Sequence, residues 1–195
     1  TKKLKYPSND DVISTIFNEI FYGPILFRKR FNKEAIYYFD EPLINKDILI
    51  IKESTIRLLS QKFNGNLGLI SGRSKIASYF TLNSLIDYFN ENACVFLEDE
   101  DREFSKPNAF SLRKVFDNLR ITSALYVGDS IADLLMVENF RKQTTEDKIF
   151  FCGVYGDDEN SKGSIDKKRL LKSKNADIII KNVNDLPNIL NITKN

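Results

Sequence analysis

The sequence predicts an α/β domain built on a doubly wound, Rossmann-like parallel sheet. Three observations predict it. From about residue 67 onward, short β-rich runs alternate with stretches of helical periodicity. The runs are continuously apolar, which marks strands covered on both faces. The chain also has 195 residues, 42% of them apolar, enough for one such domain with a small appendage and a buried core. Strand–helix alternation in this order folds as right-handed crossovers around a parallel sheet.

The first 45 residues read differently from the rest. Asp10–Tyr22 has the spacing of an amphipathic helix, carrying Val12, Ile13, Ile16, Phe17 and Ile20, and Gly23-Pro24 stops it. An irregular aromatic segment follows from Phe27 to Tyr38, closed by Asp40-Glu41-Pro42. Residues 1–46 are therefore expected to form a helical unit separate from the sheet, and residues 47–195 the core.

Within the core, Asp47–Phe63 reads as a helix with Ile48, Ile51, Ile56, Leu58 and Leu59 at near-helical spacing. Strands are expected at Leu67–Ile70, Ala93–Leu97, Ala124–Val127, Ile149–Cys152 and Ala176–Ile180. The intervening helices are expected at Lys75–Phe89, Pro107–Leu119, Ile131–Lys142 and Asp166–Lys174, with Pro107 in a first turn.

Composition excludes several chemistries. There is no histidine, so histidine triads, histidine general bases and histidine–zinc sites are ruled out. Cys94 and Cys152 lie in separate apolar runs and form no Cys-x-x-Cys knuckle, a pattern that suits reduced thiols and a cytoplasmic location. No apolar run approaches the roughly 18 residues of a membrane helix, so no membrane partner is expected. With 29 basic and 27 acidic side chains, the balance argues against a nucleic-acid surface. The runs Lys2-Lys3-x-Lys5 and Arg28-Lys29-Arg30 read as solvated faces.

Three strand ends carry polar residues that suit chemistry. Ser71-Gly72-Arg73-Ser74 follows the first expected strand, where a hydroxyl and free amides at a helix start can hold a phosphate; serine and glycine there are also ordinary capping residues. Lys106 precedes Pro107 after a strand-exit loop and reads either as a solvated charge or as a cation for a phosphate and a neighbouring carboxylate. In Gly128-Asp129-Ser130-x-x-Asp133, Asp129 ends a strand where open α/β sheets bind ligands, and Asp133 lies one helical turn on. Two such carboxylates repel unless a cation stands between them, and oxygen ligands favour Mg²⁺ over zinc. Helix capping by Asp129 is the alternative.

Ser71 in Ile-Ser-Gly-Arg, Lys106 in Lys-Pro-Asn, and Gly-Asp129-Ser-x-x-Asp133 resemble, in order, the second, third and fourth motifs of the haloacid dehalogenase-like (HAD) hydrolases. The tail, Asn175-Ala-Asp177 through Asn182-Val-Asn-Asp-Leu-Pro, is similar to that family's last strand and helix. The carboxylate pair resembles the Mg²⁺-dependent phosphatases of the first subfamily rather than the true dehalogenases. The resemblance implies a phosphomonoesterase acting on a small phosphorylated metabolite. Ser71 and the Gly72 amide would hold phosphate, Lys106 would offset charge, and Asp129 would ligate Mg²⁺. Asp133 would ligate through water or orient Lys106. The N-terminal portion would be the rear half of a small helical cap, whose Tyr22, Phe27, Arg28, Arg30, Tyr37 and Tyr38 would select the substrate.

One family feature is missing. The nucleophile and acid/base come from an Asp-x-Asp that ends the family's first strand, upstream of the cap. Asp99-x-Asp101 follows the second motif instead of preceding it, Asp10-Asp11 follows no strand, and Asp40-Glu41-Pro42 has proline in the second position. All three read as surface or capping charges. The nucleophile is therefore expected upstream of Thr1, on the strand that would fill the middle of the sheet, between those carrying Ser71 and Asp129. A chain limited to residues 1–195 is then expected to be inactive and poorly folded. The alternatives are a non-catalytic domain that keeps the phosphate pocket, and a phosphomutase.

Overall fold

A computed structural model describes residues 11–156, 158 and 160–192. The basic run at Lys2 to Lys5 and the expected helix start at Asp10 lie outside them. Helix α1 spans Val12–Phe31. Asp11 caps it, its carboxylate accepting the Ile13 and Ser14 amides. Gly23 interrupts it with φ 65°, a left-handed conformation that glycine adopts without strain, and Pro24 opens the second helical segment. A side chain at Gly23 would also meet Pro42 at 2.9 Å. Gly23-Pro24 thus kinks the helix instead of ending it, and Phe27–Phe31 is helical where irregular chain was expected.

Among the described residues, five strands and six further α-helices follow. They are α2 (Glu53–Lys62), β1 (Leu69–Ser71), α3 (Lys75–Leu82), β2 (Cys94–Phe96), α4 (Phe110–Leu119), β3 (Ser123–Gly128), α5 (Ile131–Arg141), β4 (Lys148–Val154), α6 (Lys162–Ser173), β5 (Ile178–Ile180) and α7 (Leu186–Ile189). Every pairing is parallel, which gives the expected α/β class. The strands form two sheets, β1–β2 and β3–β4–β5, with Ile70 opposite Val95 and Tyr126 opposite Phe151. Among the described residues no ladder joins β1 to β3. Both are edge strands, and their apolar residues are half-buried rather than fully covered.

Side chains join what hydrogen bonds leave apart. On one face Leu112 and Phe116 of α4, Val137 and Phe140 of α5 and Leu171 of α6 form one core with Phe151, and Ile70 of β1 and Tyr126 of β3 both pack against it. On the other face Leu59 of α2 and Leu186 of α7 pack on Cys152 and Ile180, with Leu67, Leu125 and Val127 alongside. Helices thus cover both faces, as alternation along the chain dictates.

Helix α1 does not stand apart from the core. Tyr22 and Phe27 are buried with Ile44 and with Ala77 of α3. The expected helix at Asp47–Phe63 begins only at Glu53. Asp47 pairs with Arg73 and accepts Thr81 Oγ1 at 2.7 Å, while Asn184 bonds the backbone of both Ile50 and Lys52. Tertiary bonds at both ends outweigh the weak helix preference of the β-branched run between them. Ile48 is 86% exposed there. Pro107 likewise precedes α4 by three residues, in a turn closed by Asn108 N–H to Ser105 O at 2.9 Å.

Candidate functional site

Lys106 occupies the cleft between the two sheets. Its ammonium pairs with Asp133 Oδ1 at 2.7 Å and donates to the Ile70 carbonyl of β1 at 3.2 Å. It also stands 5.7 Å from the centre of the Tyr126 ring on β3. One side chain therefore reaches both β1, which ends at Ser71, and β3, which Asp129 follows.

Asp133 is 4% exposed, and both its oxygens are occupied. Oδ1 accepts Tyr126 Oη at 2.8 Å as well as Lys106, and Oδ2 accepts the Ser130 amide at 3.1 Å and hydroxyl at 2.6 Å. Ser130 Oγ accepts the Asp133 amide in return, completing a capping box at the start of α5. Burial pushes the Asp133 carboxyl up, but the Lys106 charge and the bonds from Lys106, Ser130 and Tyr126 outweigh it and hold the group below the usual range. The Tyr126 phenol is driven well above its ordinary value, first by burial and then by the adjacent Asp133 charge. Gly128 makes this approach possible, since a Cβ there would lie 2.7 Å from Asp133 Cβ. Asp133 thus pairs directly with Lys106.

Ser71 ends β1. Its Oγ accepts the Arg73 amide at 3.1 Å and faces Ser78 Oγ at 3.3 Å, so its own proton can still be donated. Gly72 is exposed, with open space around its Cα. Asp129 projects outward, its side chain 74% exposed and 3.6 Å from Lys167 Nζ.

Of the two carboxylates expected near Mg²⁺, Asp129 is exposed and lies 3.6 Å from Lys167, while both oxygens of Asp133 are already hydrogen-bonded. Among the described residues, no three Asp, Glu, Cys or His side chains converge as a ready-made metal cluster. A single exposed carboxylate would leave most of a Mg²⁺ ion's coordination to water and other oxygens.

The other candidates are placed elsewhere. Asp99 pairs with Arg30 at 2.8 Å, Asp11 caps α1, and Asp40 lies on an exposed turn. Tyr22, Phe27 and Arg30, expected to face substrate, are turned into the protein, whereas Arg28 and Tyr37 are exposed. Two residues escaped the sequence reading. Tyr126 lies two positions before Gly128, so strand alternation puts both on the face that meets Asp133, a signal that could have found it. Lys167 reaches Asp129 from a helix far along the chain, and no spacing announces that.

No family profile matches the chain, and no curated protein matches it. A crystal structure determined by the Northeast Structural Genomics Consortium shares the fold, at TM-score 0.70 and 20% identity over 92% of this chain and 52% of that one. The chain thus spans about half the length of that protein.

Proposed function

We infer that this chain is the phosphate-handling part of a HAD-like, Mg²⁺-dependent phosphomonoesterase acting on a small phosphorylated metabolite. The observation that carries the reading is Lys106, which ties the strand end bearing Ser71 to the Asp133 carboxylate behind Asp129. Lys106 thereby contacts Ile70, the residue before Ser71, and Asp133, four residues after Asp129, near strand ends where open α/β sheets bind ligands.

In this reading the Ser71 hydroxyl and Gly72 amide donate to the phosphoryl oxygens, and Lys106 offsets their charge. Asp133, held by Tyr126 and Ser130, fixes the direction of the ammonium. Asp129 would hold Mg²⁺, which when bound supplies further charge neutralisation for phosphoryl transfer. The nucleophile would be a carboxylate outside the described residues. Its oxygen attacks phosphorus, the ester oxygen leaves with the substrate's alcohol, and water hydrolyses the resulting acyl phosphate. The division of the sheet supports an additional strand as its source, because β1 and β3 are both edge strands among the described residues and no ladder joins them.

A second reading, a non-catalytic phosphate-binding domain, is favoured by one fact. Among the described residues the carboxylate that touches Lys106 is Asp133, and it is engaged at both oxygens. With the strand that would carry the nucleophile present in the assayed protein, phosphate release from a panel of phosphomonoesters with and without Mg²⁺ separates the two. The enzyme reading expects Mg²⁺-dependent turnover that falls at least ~100-fold in Lys106→Ala and Asp129→Asn. Turnover unaffected by both substitutions overturns it; phosphate binding without turnover selects the second reading.

A further inference from the structure

A buried polar cluster fastens α1 beside the Ser71 loop, and the chemistry above does not use it. Tyr22 is 1% exposed, and its hydroxyl donates to Glu98 Oε2 at 2.9 Å while lying 2.8 Å from Ser74 Oγ. The same Glu98 oxygen accepts the Ser74 amide at 2.8 Å. Next to it, Asp99 accepts the Lys75 amide at 2.6 Å and pairs with Arg30 at 2.8 Å. The Arg30 side chain is 13% exposed and lies over the rings of Tyr22 and Phe31, at 5.3 and 5.1 Å.

This arrangement has two consequences. Ser74 and Lys75 open α3, and free amides at a helix start attract anions. Here both are already taken by carboxylates of the short 3-10 turn, Leu97–Asp99, that follows β2. Those carboxylates are sequence neighbours of like charge, and Arg30 is the cation set against both, at 2.8 Å from Asp99 and 3.9 Å from Glu98. Ser74 also directly follows the turn in which Ser71 Oγ accepts the Arg73 amide. Displacement of Ser74 is therefore passed along a continuous turn to Gly72 and Ser71.

We propose that Tyr22 and Arg30 are positioning residues: they lock Glu98 and Asp99 onto the first two amides of α3, which fixes the Ser71–Arg73 loop and confines an incoming phosphate to Ser71, Gly72 and Lys106. The lock rests on geometry alone; its purpose rests on the phosphate reading given above. It also gives the N-terminal helix a role as a fixed buttress of the loop, since its Tyr22 and Arg30 side chains face Glu98, Asp99 and Ser74.

The test is amide hydrogen exchange and inorganic phosphate titration, both followed by NMR, on the parent protein and on Tyr22→Phe, Arg30→Met and Arg30→Lys. Tyr22→Phe keeps the ring and removes only the hydroxyl, so folding should survive. Exchange at Ser74 and Lys75 should quicken about tenfold in Tyr22→Phe and Arg30→Met while amides of β3 and β4 keep their rates. Phosphate affinity, read at Gly72, should fall about tenfold in both, and Arg30→Lys should restore part of it. Unchanged exchange at Ser74 and Lys75 overturns the lock whatever phosphate does. Faster exchange with unchanged phosphate affinity overturns its positioning role. A parent protein that binds no phosphate overturns the phosphate reading, and exchange then judges the lock on its own.

Discussion

Replacing Asp133 by alanine strikes the point where the two sheets are tied together. The substitution strands the Lys106 ammonium, whose side chain is only 18% exposed, with the Ile70 carbonyl as its remaining partner. Tyr126 loses the acceptor for its hydroxyl, and the Ser130 amide loses half of its capping box. Breaking a buried pair from one side costs about 3–5 kcal/mol, and partial exposure of Lys106 places this case near the lower end. With a urea slope of roughly 2 kcal/mol/M, the midpoint should fall by about 1.5 M. Removing the orphaned charge as well, in Asp133→Ala/Lys106→Met, should recover a third or more of that loss. The assay is urea unfolding followed by far-ultraviolet circular dichroism. A midpoint shift under about 0.5 M, or a double variant no more stable than the single one, would refute the argument that Asp133 exists to hold Lys106. The pH dependence has a definite sign. A carboxyl held below its ordinary value of 3.8 binds fewer protons in the folded state, so its stabilisation is present above that value and is lost as the pH falls toward the native one.

Three further outcomes follow from the same geometry. Lys106→Met should cost less than Asp133→Ala, about 1–2 kcal/mol, because Asp133 keeps its donors Tyr126 and Ser130; urea midpoints compare the two. Lys167→Met should tighten Mg²⁺ binding by about two- to five-fold, the worth of an exposed ion pair, and Asp129→Asn should abolish it; calorimetric titration of MgCl₂ reads both. Gly128→Ala should destabilise by about 2–3 kcal/mol, since its Cβ would press on Asp133 Cβ at 2.7 Å, and thermal unfolding should show it.

Much of the architecture was legible because the relevant signals are local. Apolar runs such as Leu125-Tyr126-Val127 announce strands, and all five lie within two or three residues of their expected places. Helix ends were less legible because tertiary bonds set them. Asp47 and Asn184 hold residues 47–52 extended, and Asn83, at φ 47°, ends α3 at Leu82 where periodicity runs on to Phe89. At the site, Ser71, Lys106, Asp129 and Asp133 stood out by their position at strand ends. What they do to one another did not. Spacing along a chain cannot tell that Asp133 spends both oxygens on Lys106, Tyr126 and Ser130, or that Tyr22 and Arg30 turn inward to Glu98 and Asp99. Those facts belong to packing between distant segments.

Titration of inorganic phosphate with Mg²⁺ into the ¹⁵N-labelled protein decides whether Ser71, Gly72, Lys106 and Asp129 form one phosphate and Mg²⁺ site. Such a site gives saturable amide shifts concentrated at Gly72, Arg73, Asp129 and Ser130, abolished in Lys106→Ala. Absence of saturable shifts, or shifts centred elsewhere and indifferent to Lys106, would contradict it.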